Sequence, residues 1–261
     1  MRKKNIAGKR GNRPFTLVSE NTSFAYQEAF KSLRTNLQFL SMEKQLKKIL
    51  ITSAIPGENK TSTAINLAVT LADAGNSVLL IDCDLRKPAV HKYLHIDKAS
   101  NKGLARALSS RQLKDAIIPC KDIGIHVIIS DMVPPNPAEL LGSAKMGALL
   151  NALESHYNYI ILDTPPVSVV TDAAVLSQFA DGVILAVRQN FATVDQIQRA
   201  KKNLEAVNAN ILGAVLTDFN MNTASKSGGY GYGYGYGYGY GYGSYGSDYA
   251  YSHSGSDQDD E

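Results

Sequence analysis

Six short runs, each nearly continuous in aliphatic residues, recur through the middle of the chain and limit its fold more than any other feature. They are KILITS at 48–53, SVLLID at 77–82, IHVIIS at 125–130, YIILD at 159–163, GVILAV at 182–187 and ILGAVL at 211–216. A strand with one wet face alternates apolar with polar residues, whereas a run without alternation belongs to a strand covered on both faces. Residues 61–74, 102–118, 137–156, 171–180 and 193–208 carry helical patterns between those runs. Strand and helix in alternation give βαβ units, so the expected fold is α/β: a doubly wound, mostly parallel sheet with helices on both faces. Ahead of it, Tyr26, Phe30, Leu33, Leu37 and Leu40 recur at spacings of four and three. That is the apolar stripe of an amphipathic helix, with Glu28, Lys31 and Arg34 on another face. One domain over 21–224 accounts for all of these segments.

The two ends differ in kind. Residues 1–13 hold Arg2, Lys3, Lys4, Lys9, Arg10 and Arg13 with no acid, and 1–20 lack apolar periodicity, so 1–20 is expected to be a flexible basic arm. Residues 225–261 offer nothing aliphatic to fill a core, and glycine at alternate positions raises the cost of ordering them. A disordered tail is expected there, carrying ten of the fourteen tyrosines and ending in Asp257, Asp259, Asp260 and Glu261. A net charge of +3 over 261 residues does not suggest a nucleic-acid partner. Cys83 and Cys120 stand alone and the five histidines are scattered, which argues for a reducing cytosol and against a zinc site. No apolar run approaches the roughly 20 residues that span a bilayer, and the start lacks the apolar stretch of a signal peptide, so the expected location is cytoplasmic.

The sharpest local signal follows the first run: Ser53-Ala54-Ile55-Pro56-Gly57-Glu58-Asn59-Lys60-Thr61-Ser62-Thr63. It has the form of a Walker A phosphate loop, in which backbone N–H groups and a helix N-terminus wrap phosphates. Pro56 through Ser62 would cradle a nucleotide, Lys60 would neutralise its phosphates, and the Thr61 hydroxyl would bind Mg²⁺. Two departures stand out. Ala54 and Asn59 replace the glycines usual at the two ends of the loop, and asparagine is the commonest substitute for glycine where the backbone is left-handed. The second strand ends LLIDCDLRKP, placing Asp82 and Asp84 two residues apart and so on one side of the chain. Carboxylates aimed at a phosphate site can hold Mg²⁺ and accept a proton from an attacking hydroxyl. Asp163, ending YIILD, supplies the third acid, as in a Walker B strand. The fold class is therefore of P-loop NTPase type. PPNPAELL at 134–141 has a plain helix-start reading, with Asn136 as N-cap, Pro137 in the first turn and Glu139 completing a capping-box-like start.

SAIPGENKTSTAINLA, LLIDCDLRKP, YIILDTPP and PPNPAELL together resemble the bacterial tyrosine kinases that regulate capsule and exopolysaccharide synthesis, in the separate cytosolic form of Gram-positive organisms. The likeness runs from about Glu28 to the C-terminus. It implies ATP and Mg²⁺ as cofactors, Asp82 as the acid that activates the acceptor hydroxyl, and Asp84 and Asp163 with Thr61 as organisers of the metal. It also implies that Tyr230, Tyr232, Tyr234, Tyr236, Tyr238, Tyr240, Tyr242, Tyr245, Tyr249 and Tyr251 are phosphoacceptors, modified between molecules. Glu28, Lys31 and Arg34 occupy the places of a Glu-x-x-Arg-x-x-Arg oligomerisation motif, with lysine where the motif has arginine. The implied partners are a homo-oligomeric ring, a membrane adaptor of the polysaccharide co-polymerase type that recruits the kinase to the inner face of the membrane, a cognate tyrosine phosphatase, and other proteins phosphorylated on tyrosine.

Two other readings fit the loop. A partitioning or division-site ATPase of the deviant Walker kind shares this fold but needs a lysine early in the loop, where this chain has Ile55. A scaffold weakened in catalysis by Asn59 would use the tail only for interaction. Thr217 also stands where related P-loop proteins often carry an asparagine that reads adenine.

Overall fold

A computed structural model of the chain describes residues 15–98, 103–110 and 114–219. The tail at 225–261, with all ten proposed phosphoacceptors, lies outside the described residues, as do residues 1–14 of the basic arm.

The elements follow the order α1 (Phe24–Lys44), β1 (Lys48–Ser53), α2 (Lys60–Ala72), β2 (Val78–Asp82), α3 (Val90–Tyr93), α4 (Leu104–Ser110), β3 (Ile118–Cys120), β4 (Ile125–Ile128), α5 (Pro137–Leu141), α6 (Ala144–Glu154), β5 (Tyr159–Asp163), α7 (Asp172–Leu176), β6 (Gly182–Arg188), α8 (Val194–Glu205) and β7 (Ile211–Thr217). The strands form one sheet in the order β3-β4-β2-β5-β1-β6-β7, parallel except at β3. Each of the six aliphatic runs is a strand of this sheet.

Both faces of the sheet are covered, and strand pleat decides which residue faces which layer. Leu50, Leu79, Ile81, Ile160 and Leu162 enter one core with α4 to α8. Their neighbours Ile49, Ile51, Val78, Leu80 and Ile161 enter the other, under α1, α2 and α3. Burial on both sides removes the need for polar alternation, which is why these runs read as continuous.

Parallel pairing brings the C-terminal ends of β1, β2 and β5 to the same edge, and Asp82 is in register with Asp163. From β1 the chain passes to β2 on one side, while β6 pairs on the other. The loop after β1 therefore opens at a topological switch point, the usual ligand crevice of such sheets.

Three expectations change. Residues 15–20, assigned to the flexible arm, lie against the domain: Val18 is buried, its N–H donates to Asn66 Oδ1 at 2.7 Å, and the Phe15 ring meets Tyr93 edge-on at 4.7 Å. The stretch 102–118 is not one helix. It holds α4, a 3₁₀ turn at 114–116 and the start of β3, where Pro119 is tolerated because the three-residue strand sits at the sheet edge. Asn136 does stand at the start of α5, but its side chain caps no N–H; its amide donates instead to Glu139 Oε2 at 2.9 Å.

Candidate active site

The chain leaves β1 at Ser53 and turns through Ile55–Asn59 into the first turn of α2. Gly57 (φ 91°) and Asn59 (φ 60°, ψ 24°) are both left-handed, a conformation that glycine and asparagine tolerate best. Asn59 precedes α2 without capping it through its side chain, which leaves the first N–H groups of the helix directed at the crevice. Pro56 and Gly57 are exposed and Ser62 is half-buried at the mouth. Glu58 turns the other way. Its fully buried carboxylate accepts the N–H of Ile55 at 2.9 Å and that of Arg188 at 3.4 Å, so only its backbone is left to face a ligand.

Lys60 reaches into the crevice between acids. Its Nζ stands 3.0 Å from Asp84 Oδ2, 3.8 Å from Asp163 Oδ1 and 3.4 Å from the Thr61 hydroxyl. Burial pulls the Lys60 ammonium toward release of its proton, but Asp163 and Asp84 outweigh it and the net shift is upward. Lys60 stays charged. Asp84 is also held by the N–H of Lys87 at 2.9 Å.

Asp82 is fully buried at the end of β2. One oxygen accepts the N–H groups of Ala89 and Val90, both at 3.1 Å, and the other accepts that of Asp84 at 3.2 Å. Desolvation, with the repulsion of Asp163 behind it, pushes the Asp82 carboxyl up to about 8. Asp163 is also raised, chiefly by burial, although Lys60 opposes the shift. Both Asp163 oxygens are buried without a hydrogen bond among the described residues.

The buried Asp163 carboxylate, which faces the Lys60 ammonium at 3.8 Å but accepts no hydrogen bond among the described residues, and the buried Thr61 hydroxyl suit a hard cation with oxygen ligands. Among the described residues no three acids, histidines or cysteines draw close enough to cage a metal by themselves. Mg²⁺ needs no such cage, because it keeps several waters and is completed by phosphate oxygens.

The other residues singled out in the sequence lie elsewhere. Glu28, Lys31 and Arg34 lie on α1, away from the crevice: Lys31 pairs with Glu28 at 2.8 Å, while Arg34 Nη1 donates to Thr70 O at 3.0 Å. Sequence reasoning missed two supports. Arg86 grips the buried Asp172 with two hydrogen bonds of 2.9 Å, tying the loop after β2 to α7. Arg188, at the end of β6, pairs with Asp218 at 2.8 Å beside the phosphate loop. Arg86 was visible as part of the second acidic motif; nothing local marks Asp172 or Arg188.

Residues 46–215 match a family described as an AAA domain. The chain is 38% identical over 204 residues to the tyrosine-protein kinase YwqD of Bacillus subtilis, covering 78% of this chain and 85% of that one. With the tyrosine-protein kinase CpsD of Streptococcus agalactiae it shares 35% identity over 202 residues, 76% of this chain and 85% of the relative. The chimerical protein CapA2B2 superposes with a TM-score of 0.71 at 36% identity, covering 76% of this chain and 86% of that one. The kinase domain of the Escherichia coli tyrosine kinase ETK follows at 0.69 and 33%, covering 79% and 80%. The septum site-determining protein MinD of Pyrococcus horikoshii, solved with Mg-ADP, is 22% identical at a TM-score of 0.56 and shares the fold. Identity of 38% and 35% to named tyrosine-protein kinases, over more than three-quarters of this chain and of each relative, has one meaning: this chain belongs to the bacterial tyrosine-protein kinases.

Proposed function

We propose that this tyrosine kinase transfers the γ-phosphoryl group of ATP to tyrosines in the tail of a neighbouring copy, with Asp82 as the proton acceptor. The observation that carries the reading is the convergence of Lys60, Asp82, Asp84 and Asp163 at the mouth of the loop after β1. Loop N–H groups and Lys60 hold the phosphates in line, and Thr61, Asp84 and Asp163 are the residues to organise Mg²⁺. When bound, that ion neutralises charge on the transferring group.

The acceptor's phenolic oxygen forms a bond to the γ-phosphorus as the bond to the β–γ bridging oxygen breaks. The phenol proton passes to Asp82, and the products are phosphotyrosine and ADP. A carboxylate whose proton affinity is raised by burial is better matched to that transfer than an exposed one. Its N–H contacts from Ala89 and Val90 fix its orientation.

The glycine-flanked tyrosines at 230–251 make slender acceptors available in many registers. Each phosphate adds roughly −1.5 to −2 charges, so a modified tail repels its like and loosens a ring. In this reading the tail's phosphorylation state sets polysaccharide synthesis and export. A membrane adaptor recruits the kinase, helped by the basic residues of 1–13.

The test is phosphotyrosine formation on purified protein with Mg·ATP. Wild type should label its tail and Lys60→Met should not, while both give the same far-ultraviolet circular dichroism spectrum of a folded chain. Near-normal labelling of Lys60→Met would overturn the assignment of the site.

A further inference from the structure

Besides the hydroxyls of Ser53 and Thr63, which donate to Ile55 O and Asn59 O, the phosphate loop is held in shape by side chains from two other strands. Thr217, the last residue of β7, donates its hydroxyl to Glu58 O at 3.2 Å and accepts from Asn59 Nδ2 at 3.4 Å. Arg188, the last residue of β6, donates from Nη1 to Gly57 O at 3.4 Å. Its Nε is anchored by Asp218 at 2.8 Å, and its guanidinium lies over the Phe191 ring at 4.9 Å from the centroid. Phe191 closes the group from outside: a Cβ on Gly57 would come within 3.1 Å of that ring.

Peptide planarity turns these contacts into a statement about the site. In a trans peptide the carbonyl of one residue and the N–H of the next point in opposite directions. Arg188, by drawing the Gly57 carbonyl outward, aims the Glu58 N–H inward. Thr217, by drawing the Glu58 carbonyl outward, does the same for the Asn59 N–H. Successive inward N–H groups are what a phosphate-binding nest consists of.

We propose that Arg188, fixed by Asp218, and Thr217 are positioning residues for nucleotide binding, aiming the N–H groups of Glu58 and Asn59 at the phosphates. The inference rests on the reading that the loop after β1 binds nucleotide, and it adds that the cradle is preset from the far ends of β6 and β7. It also joins a departure in the loop, Asn59, with one at the end of β7, Thr217. Asn59 and Thr217 touch, so the asparagine side chain has a partner that glycine could not supply. Holding the loop before a ligand arrives lowers the entropy lost on binding, so the contribution belongs to affinity and not to the chemical step.

The experiment is titration of the full chain with a fluorescent ADP analogue, alongside steady-state kinase assays and thermal unfolding. Arg188→Ala should weaken nucleotide affinity by roughly tenfold, the scale of one charge-assisted hydrogen bond. Asp218→Asn and Thr217→Val should each weaken it by about threefold, with kcat at saturating ATP and the KM for acceptor nearly unchanged. Arg188→Lys should fail to rescue, because one ammonium cannot reproduce the guanidinium fork shared between Asp218 and Gly57. Should Arg188→Ala not fold, Asp218→Asn and Thr217→Val decide. Unchanged affinity in both Arg188→Ala and Thr217→Val, full rescue by lysine, or loss of kcat at constant affinity would each overturn the proposal. Lys60→Ala run in parallel separates the two levels. If it weakens binding and the positioning variants do not, only the preset cradle is wrong; if it too binds normally, the nucleotide site itself is misplaced and both readings fall.

Discussion

Asp82 is asked to be a buried acceptor of three backbone N–H groups and a base. Its carboxyl is raised to about 8 by desolvation and by Asp163, against an ordinary value near ~3.9 in the unfolded chain. Between those two values the native state holds more protons than the unfolded one, so stability must fall as pH rises through that window. Chemical denaturation in EDTA at pH 5 and pH 8 should show wild type less stable at pH 8, with a flatter dependence in Asp82→Asn. Equal slopes would mean that Asp82 ionises freely. The same substitution keeps an oxygen for Ala89 and Val90 while removing the base. Its expected loss in the phosphotransfer rate is ~10²- to 10⁴-fold, the usual range for general-base removal, with little loss of nucleotide affinity. A rate within a few fold of wild type would assign the base elsewhere.

Between elements, the attachment of α1 decides how variants on it should be interpreted. Asn66, buried on α2, accepts the N–H of Val18 and donates to Thr16 O at 2.9 Å and to the Tyr26 hydroxyl at 3.0 Å, and that hydroxyl in turn donates to Thr16 O. Burial, with Asp218 adding to it, pushes Tyr26 up to about 12, so it stays a neutral donor. Tyr26→Phe should cost about 1 kcal/mol of stability, the net worth of one such bond, in a urea titration. On the same helix Arg34 is committed within the chain to Thr70 O, whereas Glu28 and Lys31 pair on the surface at 42% and 47% side-chain exposure. If Glu28 and Lys31 build the proposed ring, Glu28→Ala should reduce oligomer size in sedimentation without moving the unfolding midpoint, since an exposed i,i+3 pair is worth only a few tenths of a kcal/mol. Arg34→Ala should lower both. A full-size oligomer in Glu28→Ala would remove that residue from the interface. The contrast also marks what could be read in advance. Strands covered on both faces declare themselves as aliphatic runs, and a phosphate loop followed by strand-end acids needs only local order. The Arg86–Asp172 and Arg188–Asp218 pairs bring together residues 86 and 30 positions apart, joined only by the fold. Ile118–Cys120 was too short, and interrupted by Pro119, to show a strand's period.

At the scale of the whole molecule the question is whose tail a kinase modifies. Thr217 and Asp82 end β7 and β2, four strand spacings apart in the order β2-β5-β1-β6-β7, or roughly 19 Å at the ~4.8 Å spacing of a sheet. The 13 residues from Asp218 to Tyr230 could extend to about 43 Å at the ~3.3 Å per residue of an extended chain, so reach alone allows reaction within one copy. Transfer between copies is the proposed course, and the two routes differ in molecularity: transfer between molecules depends on concentration, transfer within one does not. Mixing resolves the matter: Lys60→Met protein with an intact tail should become phosphorylated by an active protein ending at residue 224, at a rate that rises with the concentration of the active partner. Wild type at increasing dilution should lose self-labelling per molecule. Labelling that is independent of dilution, together with no transfer to the Lys60→Met protein, would place the reaction within a single chain and leave any ring without a catalytic purpose.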